Sequence, residues 1–416
     1  MLLDIPSLHM SSDDRCHLES ERSLTMADYI KCEFGSEEIN GAGDILASRP
    51  SWTEDNDALI RSAFNVAYSW RDAHIFPMRS VHGSIFSVCS KLGVKAVSGA
   101  RVKRMPTIYE KLPRVGISLY DLQDLVGCRF IFEHSDDLDR VRAHLKNKYS
   151  HLIDRENDYI KRPKKSTGYR SHHMIFKFAR DDHPQYNDYR VEVQLRTRIQ
   201  HAWSTAVEAI GLYRSESLKS SHGNGEWLEF LRLISSEMAL MEGKPPVRDG
   251  FERAERIERI RQLYRELNAE VTLNGIKRMA DGITVPPEQK RDVEAYLLIF
   301  DIGKKEFDLR PFRGFLPAST QYRELEMDLL KNKLSQQNVV LIEARKLDNI
   351  KRAFPNYFSD IAMFDTLLDG IIEGRSEETY KRVISQAPVN VHGQTPIDPG
   401  WMRKAHVPRP VSRSDK

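Results

Sequence analysis

Apolar residues recur along the chain with two different periods. From Trp52 to about residue 114 the pattern is helical: Ser51 and Thr53 offer caps before Glu54 and Asp55, and Leu59, Ala63, Val66, Ala67 and Trp70 follow helical spacing. Pro77 opens a second helix through Ile85, Val88 and Leu92, which Gly93 stops. The run VGCRFIF at 126–132 is short and apolar with one Arg, as suits a buried strand. Helical spacing returns at 136–149 through Leu138, Val141 and Leu145. Residues 150–170 are polar and basic and read as a loop. Strands are predicted at 172–178 and 189–197, on either side of the turn-rich ARDDHPQYND, and helices at 198–212 and 225–241.

The sequence GKPPVRDG at 243–250 breaks the pattern. A charged helix is predicted over 251–273, a hairpin from 296–301 and 306–310, a helix over 319–334, a strand over 339–343 and short helices to about 372. Residues 1–50 show no sustained period and read as a poorly structured arm; 375–416 read as a disordered tail. The expected organisation is thus an arm (1–50), a domain (51–245), a helical and α+β accessory domain (250–372) and a tail. The fold class is α+β, with a mixed central sheet flanked by helices and a smaller C-terminal α+β region.

With 40% hydrophobic and 30% charged residues, the composition is that of a soluble chain with material for a core. No apolar run approaches the roughly 20 residues needed to span a bilayer. The first residues lack a basic, then apolar, leader, so no signal peptide is expected. Cys16, Cys32, Cys89 and Cys128 form no CxxC pair, which argues against zinc and for reduced thiols in the cytoplasm. The net charge of +3 hides an uneven distribution: residues 101–170 hold 16 Lys and Arg against 10 Asp and Glu, leaving the remainder net acidic. Such a block suits an anionic ligand, although a solvated charged face has the same composition.

Four fragments carry candidate chemistry. In YRVEVQLRT (189–197), Val191, Val193 and Leu195 fall on one strand face and Glu192, Gln194 and Arg196 on the other, a pattern that an ordinary half-exposed strand shares. In DLQDLVGCR (121–129), Asp124 stands at the mouth of the buried run and Arg129 lies inside it, where it needs a partner or a ligand. DYIKRPKKSTGYRSHH (158–173) combines Lys161, Arg162, Lys164 and Lys165 with Gly168, Tyr169, Ser171 and His173. The fourth is Arg101-Val-Lys103, with Lys111 expected further along the same basic helix. Together they suit phosphoryl transfer: Asp124 and Glu192 could hold Mg²⁺ with substrate phosphates, and Lys and Arg would neutralise the triphosphate. No GxxxxGK[ST] and no kinase signature is present, so side chains must hold the phosphates.

The order RxK, DLVGCR, DYIKRPK, TGYRSHH, EVQLRT and QHAW resembles the RelA/SpoT synthetase domain, over roughly residues 60–215. The resemblance implies a nucleotidyltransferase-like fold and transfer of pyrophosphate from ATP to the 3′-hydroxyl of GDP or GTP, giving guanosine tetra- or pentaphosphate. It implies that Arg101 and Arg129 sandwich the adenine, that Lys103 and Lys111 contact phosphates, and that Asp124 binds Mg²⁺. Tyr169 would stack on the acceptor guanine, with His173, Gln194, His201, Lys161 and Lys164 around the acceptor; Glu192 would serve the metal or act as base. Thr107 stands where the family pattern has Ser, and STAVEAIGLY after Trp203 departs from the acidic stretch of the housekeeping enzymes, which bears on acceptor choice. No HD dyad is present, so no hydrolase domain is expected. The alternatives are a toxin-type member that modifies the tRNA 3′ end or makes an adenosine alarmone, and a silent nucleotide-binding regulator. No membrane partner is expected; self-association through the C-terminal region is.

Overall fold

The computed structural model describes residues 31–281 apart from 215, 217 and 219–222, and then 293, 295–301, 303–304, 306–332, 337–343 and 361–385. Three helices lead in: α1 (Ser36–Ala47), α2 (Asp57–Ala73) and α3 (Ile75–Lys91). Then come β1 (Ala96–Val102), α4 (Met105–Val115), β2 (Val126–Phe132), α5 (Ser135–Tyr149), β3 (Ile153–Asp158), β4 (His172–Lys177) and β5 (Arg190–Thr197). Helices α6 (Arg198–Arg214) and α7 (Gly225–Met241) come next. The sheet order is β1-β2-β5-β4-β3, with β2 and β5 parallel and the other pairs antiparallel. This is the mixed, helix-flanked sheet expected.

One sheet face is apolar. Val126, Cys128, Phe130, Met174, Phe176, Val191, Val193 and Leu195 pack there against Val81, Ile85 and Val88 of α3 and Leu138, Val141 and Leu145 of α5. A second core joins Trp203, Val207 and Ile210 of α6 to Trp227, Phe230 and Ile234 of α7. That core continues into α8 (Arg253–Glu266), α9 (Ala269–Asp281), α11 (Ala362–Ile372) and α12 (Ser376–Ser385), through Ile260, Leu273, Phe364, Leu368 and Val383. Between α9 and α11, strands β6 (Ala295–Asp301), β7 (Glu306–Phe312) and β8 (Gln337–Glu343) form an antiparallel sheet ordered β7-β6-β8, covered by α10 (Phe315–Lys331). Among the described residues no helix is long and apolar enough to cross a membrane.

Five local expectations are corrected. Arg101 lies on β1, not on a helix with Lys111; AVSGARV is an edge strand of small residues with little apolar signal. Residues 153–158 (IDREND) form edge strand β3 rather than loop, held by pairing to β4 despite a polar sequence. Ser36–Ala47, expected within a loose arm, is a helix: Ile39, Ala42, Gly43 and Leu46 form a short buried face. The charged helix after residue 250 is divided at Asn268, whose φ is 48°. Of the expected tail, 376–385 is helical; 386–416, like 1–30, lies outside the described residues.

Two glycines of α1 test its docking. A Cβ at Gly43 would stand 2.7 Å from Leu119 Cβ, whereas one at exposed Gly41 meets nothing. Gly43→Ala is expected to destabilise by about 1–3 kcal/mol through overpacking. Gly41→Ala should stabilise by up to about 1 kcal/mol through helix propensity. Thermal unfolding of the two variants checks the opposite signs, and equal shifts would mean that α1 is not seated on Leu119.

Candidate active site

The site grows from the polar face of β5, because the alternation that buries Val191, Val193 and Leu195 turns Glu192, Gln194 and Arg196 to the other side. Register extends that face across the sheet. Gly127 of β2 stands opposite Glu192 and Arg129 opposite Gln194; Arg101 of β1 is opposite Gly127, and His173 of β4 is opposite Gln194. Residues paired across strands share a face, so the sequence-predicted Arg101, Arg129, Glu192, Gln194 and His173 come together. A side chain at Gly127 would crowd this row, since its Cβ would sit 3.3 Å from the Glu192 carbonyl oxygen and 3.7 Å from Oε2.

Lys103 and Lys111 converge on one carboxylate oxygen: Asp124 Oδ2 accepts from Lys103 Nζ at 2.5 Å and from Lys111 Nζ at 2.7 Å. Burial opposes ionisation of Asp124, but the two lysines outweigh it and lower its pKa. Burial also lowers the Lys103 pKa, against the pull of Asp124. Asp124 Oδ1 is buried and accepts no hydrogen bond among the described residues. An acceptor oxygen left over in a basic setting fits a hard cation that draws its other ligands from phosphates and water. Among the described residues no group of three His, Cys, Asp or Glu is placed to hold a metal.

On the other flank runs a chain of hydrogen bonds. Arg196 Nη2 donates to Tyr169 Oη at 2.6 Å, Tyr169 Oη lies 2.8 Å from His173 Nε2, and His173 Nδ1 lies 2.9 Å from Glu192 Oε1. One set of proton positions satisfies it: Tyr169 donates to Nε2 and a neutral His173 donates through Nδ1 to an ionised Glu192. Burial of His173 lowers its pKa and favours this neutral form, with Glu192 pulling the other way. Burial works against ionisation of Glu192, but the His173 contact, the Gln194 amide at 2.7 Å and the charge of Lys103 hold its carboxyl well below the usual range. Gln194 also accepts from Arg196 Nη2 at 2.7 Å, so it bridges the anion and the cation.

Positive charge is in surplus here. Burial, with the like charges of Arg196 and Arg101, holds Arg129 below its ordinary pKa; Glu208 of α6 and Tyr169 act against them. Arg196 Nη1 is buried with no hydrogen-bond partner among the described residues. A face with crowded guanidinium groups and an unsatisfied donor is built to receive an anion.

Residues 100–217 match the family described as "Region found in RelA / SpoT proteins". They are a RelA/SpoT region. The GTP pyrophosphokinase YjbM of Bacillus subtilis (strain 168) is 31% identical over 120 residues, 28% of this chain and 56% of that protein. The GTP pyrophosphokinase rsh of Brucella ovis is 28% identical over 122 residues, 29% of this chain and 15% of that protein. The match therefore spans about half of one relative and a small part of the other. The crystal structure of the small alarmone synthetase 1 from Bacillus subtilis bound to its product pppGpp aligns with a TM-score of 0.37 and 20% identity, covering 42% of this chain and 94% of that one.

Within the RelA/SpoT region the remaining candidates lie on the loop after β3 and on α6. Lys161 and Lys164 are exposed on the loop after β3, and His201 is half-buried in the first turn of α6. Tyr169 is only 4% exposed: Trp203 packs beside it, Arg196 lies 5.2 Å from its ring centre and Lys164 Nζ 5.4 Å. Its loop is pinned to α7. Gly168 has φ 78° and approaches so closely that a Cβ would meet Ser235 Cβ at 2.9 Å, and buried Arg170 donates to the carbonyls of Ile160 and Pro245. Two contributors stand inside the motif DYIKRPK but carry no assigned role in the sequence reading. Tyr159, half-buried, makes edge contacts with His173 at 5.3 Å and Tyr169 at 6.0 Å. Asp158 accepts from the amides of Ile160 and Lys161 and from Arg142, fixing the start of the basic loop. An Asp two residues before a turn is the signal for the second; an aromatic beside lysines is the signal for the first.

The His173 imidazole should titrate below about 6.5, the ordinary histidine value. Glu192→Gln removes the carboxylate that raises it and should lower it further. An NMR titration reads both, and a His173 that titrates at or above the ordinary value would overturn the neutral assignment.

Proposed function

We propose that this chain is an ATP-dependent pyrophosphotransferase acting on the 3′-hydroxyl of GDP or GTP. The observation that carries the reading is the meeting of ionised Glu192 with surplus Arg and Lys on one sheet face inside the RelA/SpoT region. The names of the matched relatives, GTP pyrophosphokinases, support it.

In this reading Arg101 and Arg129 stack on the ATP adenine, since a planar guanidinium suits the face of a base. Lys103 and Lys111 hold the phosphates. Asp124 would hold Mg²⁺ together with phosphate oxygens, and the bound ion supplies positive charge to the transferring group. Tyr169 and its neighbour Tyr159 form the aromatic wall for the acceptor guanine, which Lys164 vacates as it turns to a phosphate; His201 edges that pocket and Lys161 takes a further phosphate. Glu192 accepts the hydrogen bond of the acceptor 3′-hydroxyl. The 3′-oxygen attacks the β-phosphorus of ATP, the bond to the bridging α–β oxygen breaks, AMP leaves, and the hydroxyl proton passes to Glu192. A depressed pKa makes Glu192 a weak base, so orienting the hydroxyl is its main work and proton transfer comes late. His173 and Gln194 hold the carboxylate in that orientation. A cytoplasmic location goes with this reading.

The direct test offers GDP, GTP, ATP and bulk tRNA in parallel with γ-labelled ATP and Mg²⁺. Label on GDP or GTP is expected; label on tRNA alone, or on an adenosine acceptor, would give the site to the other acceptor class, and bound nucleotide without AMP release would make the chain a silent binder. Glu192→Gln should lower turnover by about 10²–10⁴-fold, the usual reach of a positioned acid or base, with binding of a non-hydrolysable ATP analogue kept. Tyr169→Ala should raise the KM of the acceptor more than that of ATP. Equal rises would make Tyr169 structural.

A further inference from the structure

Glu326 lies on α10, more than 200 residues beyond Met105 and outside the RelA/SpoT region, yet only 1% of it is exposed. Its carboxylate is filled by donors. Oε1 accepts from the Met105 amide at 3.0 Å and from Tyr322 Oη at 2.6 Å; Oε2 accepts from Tyr68 Oη at 3.2 Å and from Arg71 Nη1 at 3.3 Å. Three of the four donors belong to α2 and α4, and only Tyr322 to its own helix.

Met105 is the first residue of α4, whose N-cap Arg104 makes no side-chain capping bond, and Pro106 has no amide hydrogen to offer. The Met105 amide is thus the orphan donor of that helix start, and Glu326 caps it from a distant element. Arg71 completes the frame: the same Nη1 also reaches the Lys103 carbonyl at 3.4 Å, and Lys103 N donates to the Leu125 carbonyl at 2.8 Å. Glu326 therefore holds the two groups on the carbonyl side of Lys103, Arg71 and the Met105 amide, while the Leu125 carbonyl anchors the Lys103 amide. Other contacts keep α10 seated, namely Arg323 with Asp72, Lys331 with Asp57 at 2.8 Å, and Met327 and Leu330 against the α1–α2–α4 core.

We infer that Glu326 is a positioning residue for the ATP side of the site, setting the backbone of Lys103 through the Met105 amide and Arg71. This rests on the reading of Lys103 as a phosphate contact. Glu326 touches no substrate; it fixes where the Lys103 ammonium starts from, so its loss is felt in ATP binding and not in acceptor binding.

The test compares full-length wild type with Glu326→Gln, which keeps the side-chain shape, and with Tyr322→Phe, which removes the one donor from α10 itself. Hydrogen exchange at the Met105 amide and binding of a non-hydrolysable ATP analogue and of GDP are measured, with KM values for both substrates. Glu326→Gln is expected to speed exchange at Met105 and weaken the ATP analogue about tenfold, with GDP binding within twofold, while Tyr322→Phe leaves all three near wild type. Fast exchange with unchanged ATP binding, or equal loss for both nucleotides, overturns the positioning role. Wild-type protein that binds no ATP overturns the functional reading and the positioning role with it; the amide bond to Glu326 is still read independently by exchange.

Discussion

The parallel pairing of β2 with β5 is the constraint on which the site depends. With β5 at the centre, between a parallel and an antiparallel neighbour, its polar face is carried onto strands from three other parts of the chain. A slip by one residue would turn Glu192 into the core and Val193 out of it. What prevents the slip is the opposite face, where Val191, Val193 and Leu195 meet Cys128, Phe130 and α3. Each fully buried aliphatic residue contributes about 1.5–3 kcal/mol, so the register is set by apolar burial and the polar geometry results from it. The core side of the sheet thereby fixes which carboxylate faces which cation.

Electrostatics on that face is unbalanced in a directed way. Glu192 is satisfied by His173 and Gln194, while the charges of Arg196 and Arg101 press on buried Arg129 against the pull of Glu208, and Arg196 keeps a donor unmet among the described residues. Like charges crowded in a partly buried site cost stability unless something neutralises them. An anion that binds only the folded state returns that cost as linkage. Asp124 shows the complementary imbalance: one oxygen taken by two lysines, the other by nothing among the described residues. Incoming phosphates give the lysines a second partner and leave the carboxylate able to face a cation.

How legible this was in the sequence depends on the range of the interaction. The alternation in YRVEVQLRT and the apolar run VGCRFIF are local signals backed by a buried face, so β5 and β2 were readable along with the side each residue takes. The edge strands β1 and β3 bury little and carry small or polar residues, so their sequences lack the signal, and Arg101 was assigned to a helix for that reason. The resemblance implies a Tyr169 ring that stacks on a ligand, whereas Gly168 and Arg170 fold its loop onto α7 and bury it, an outcome set by residues some 65–75 positions away. Glu326 had little local signal, because apart from Tyr322 one turn before it the donors that mark it lie on α2 and α4.

Glu326 also bears on where a domain ends in this chain. Removing α10 would leave the Met105 amide, Tyr68 and the Arg71 guanidinium without the acceptor they share, in a place water does not reach well. A buried polar group stripped of its partner costs about 1–3 kcal/mol, and more when charged. The second core runs equally without a break from α6 through α7 into α8, α9 and α11. Sequence order separates the RelA/SpoT region from the C-terminal elements, but the energetic unit does not end where that region ends. The segment bearing Arg101, Lys103 and Lys111 is held from one side by its own sheet and from the other by α10, so its geometry belongs to both.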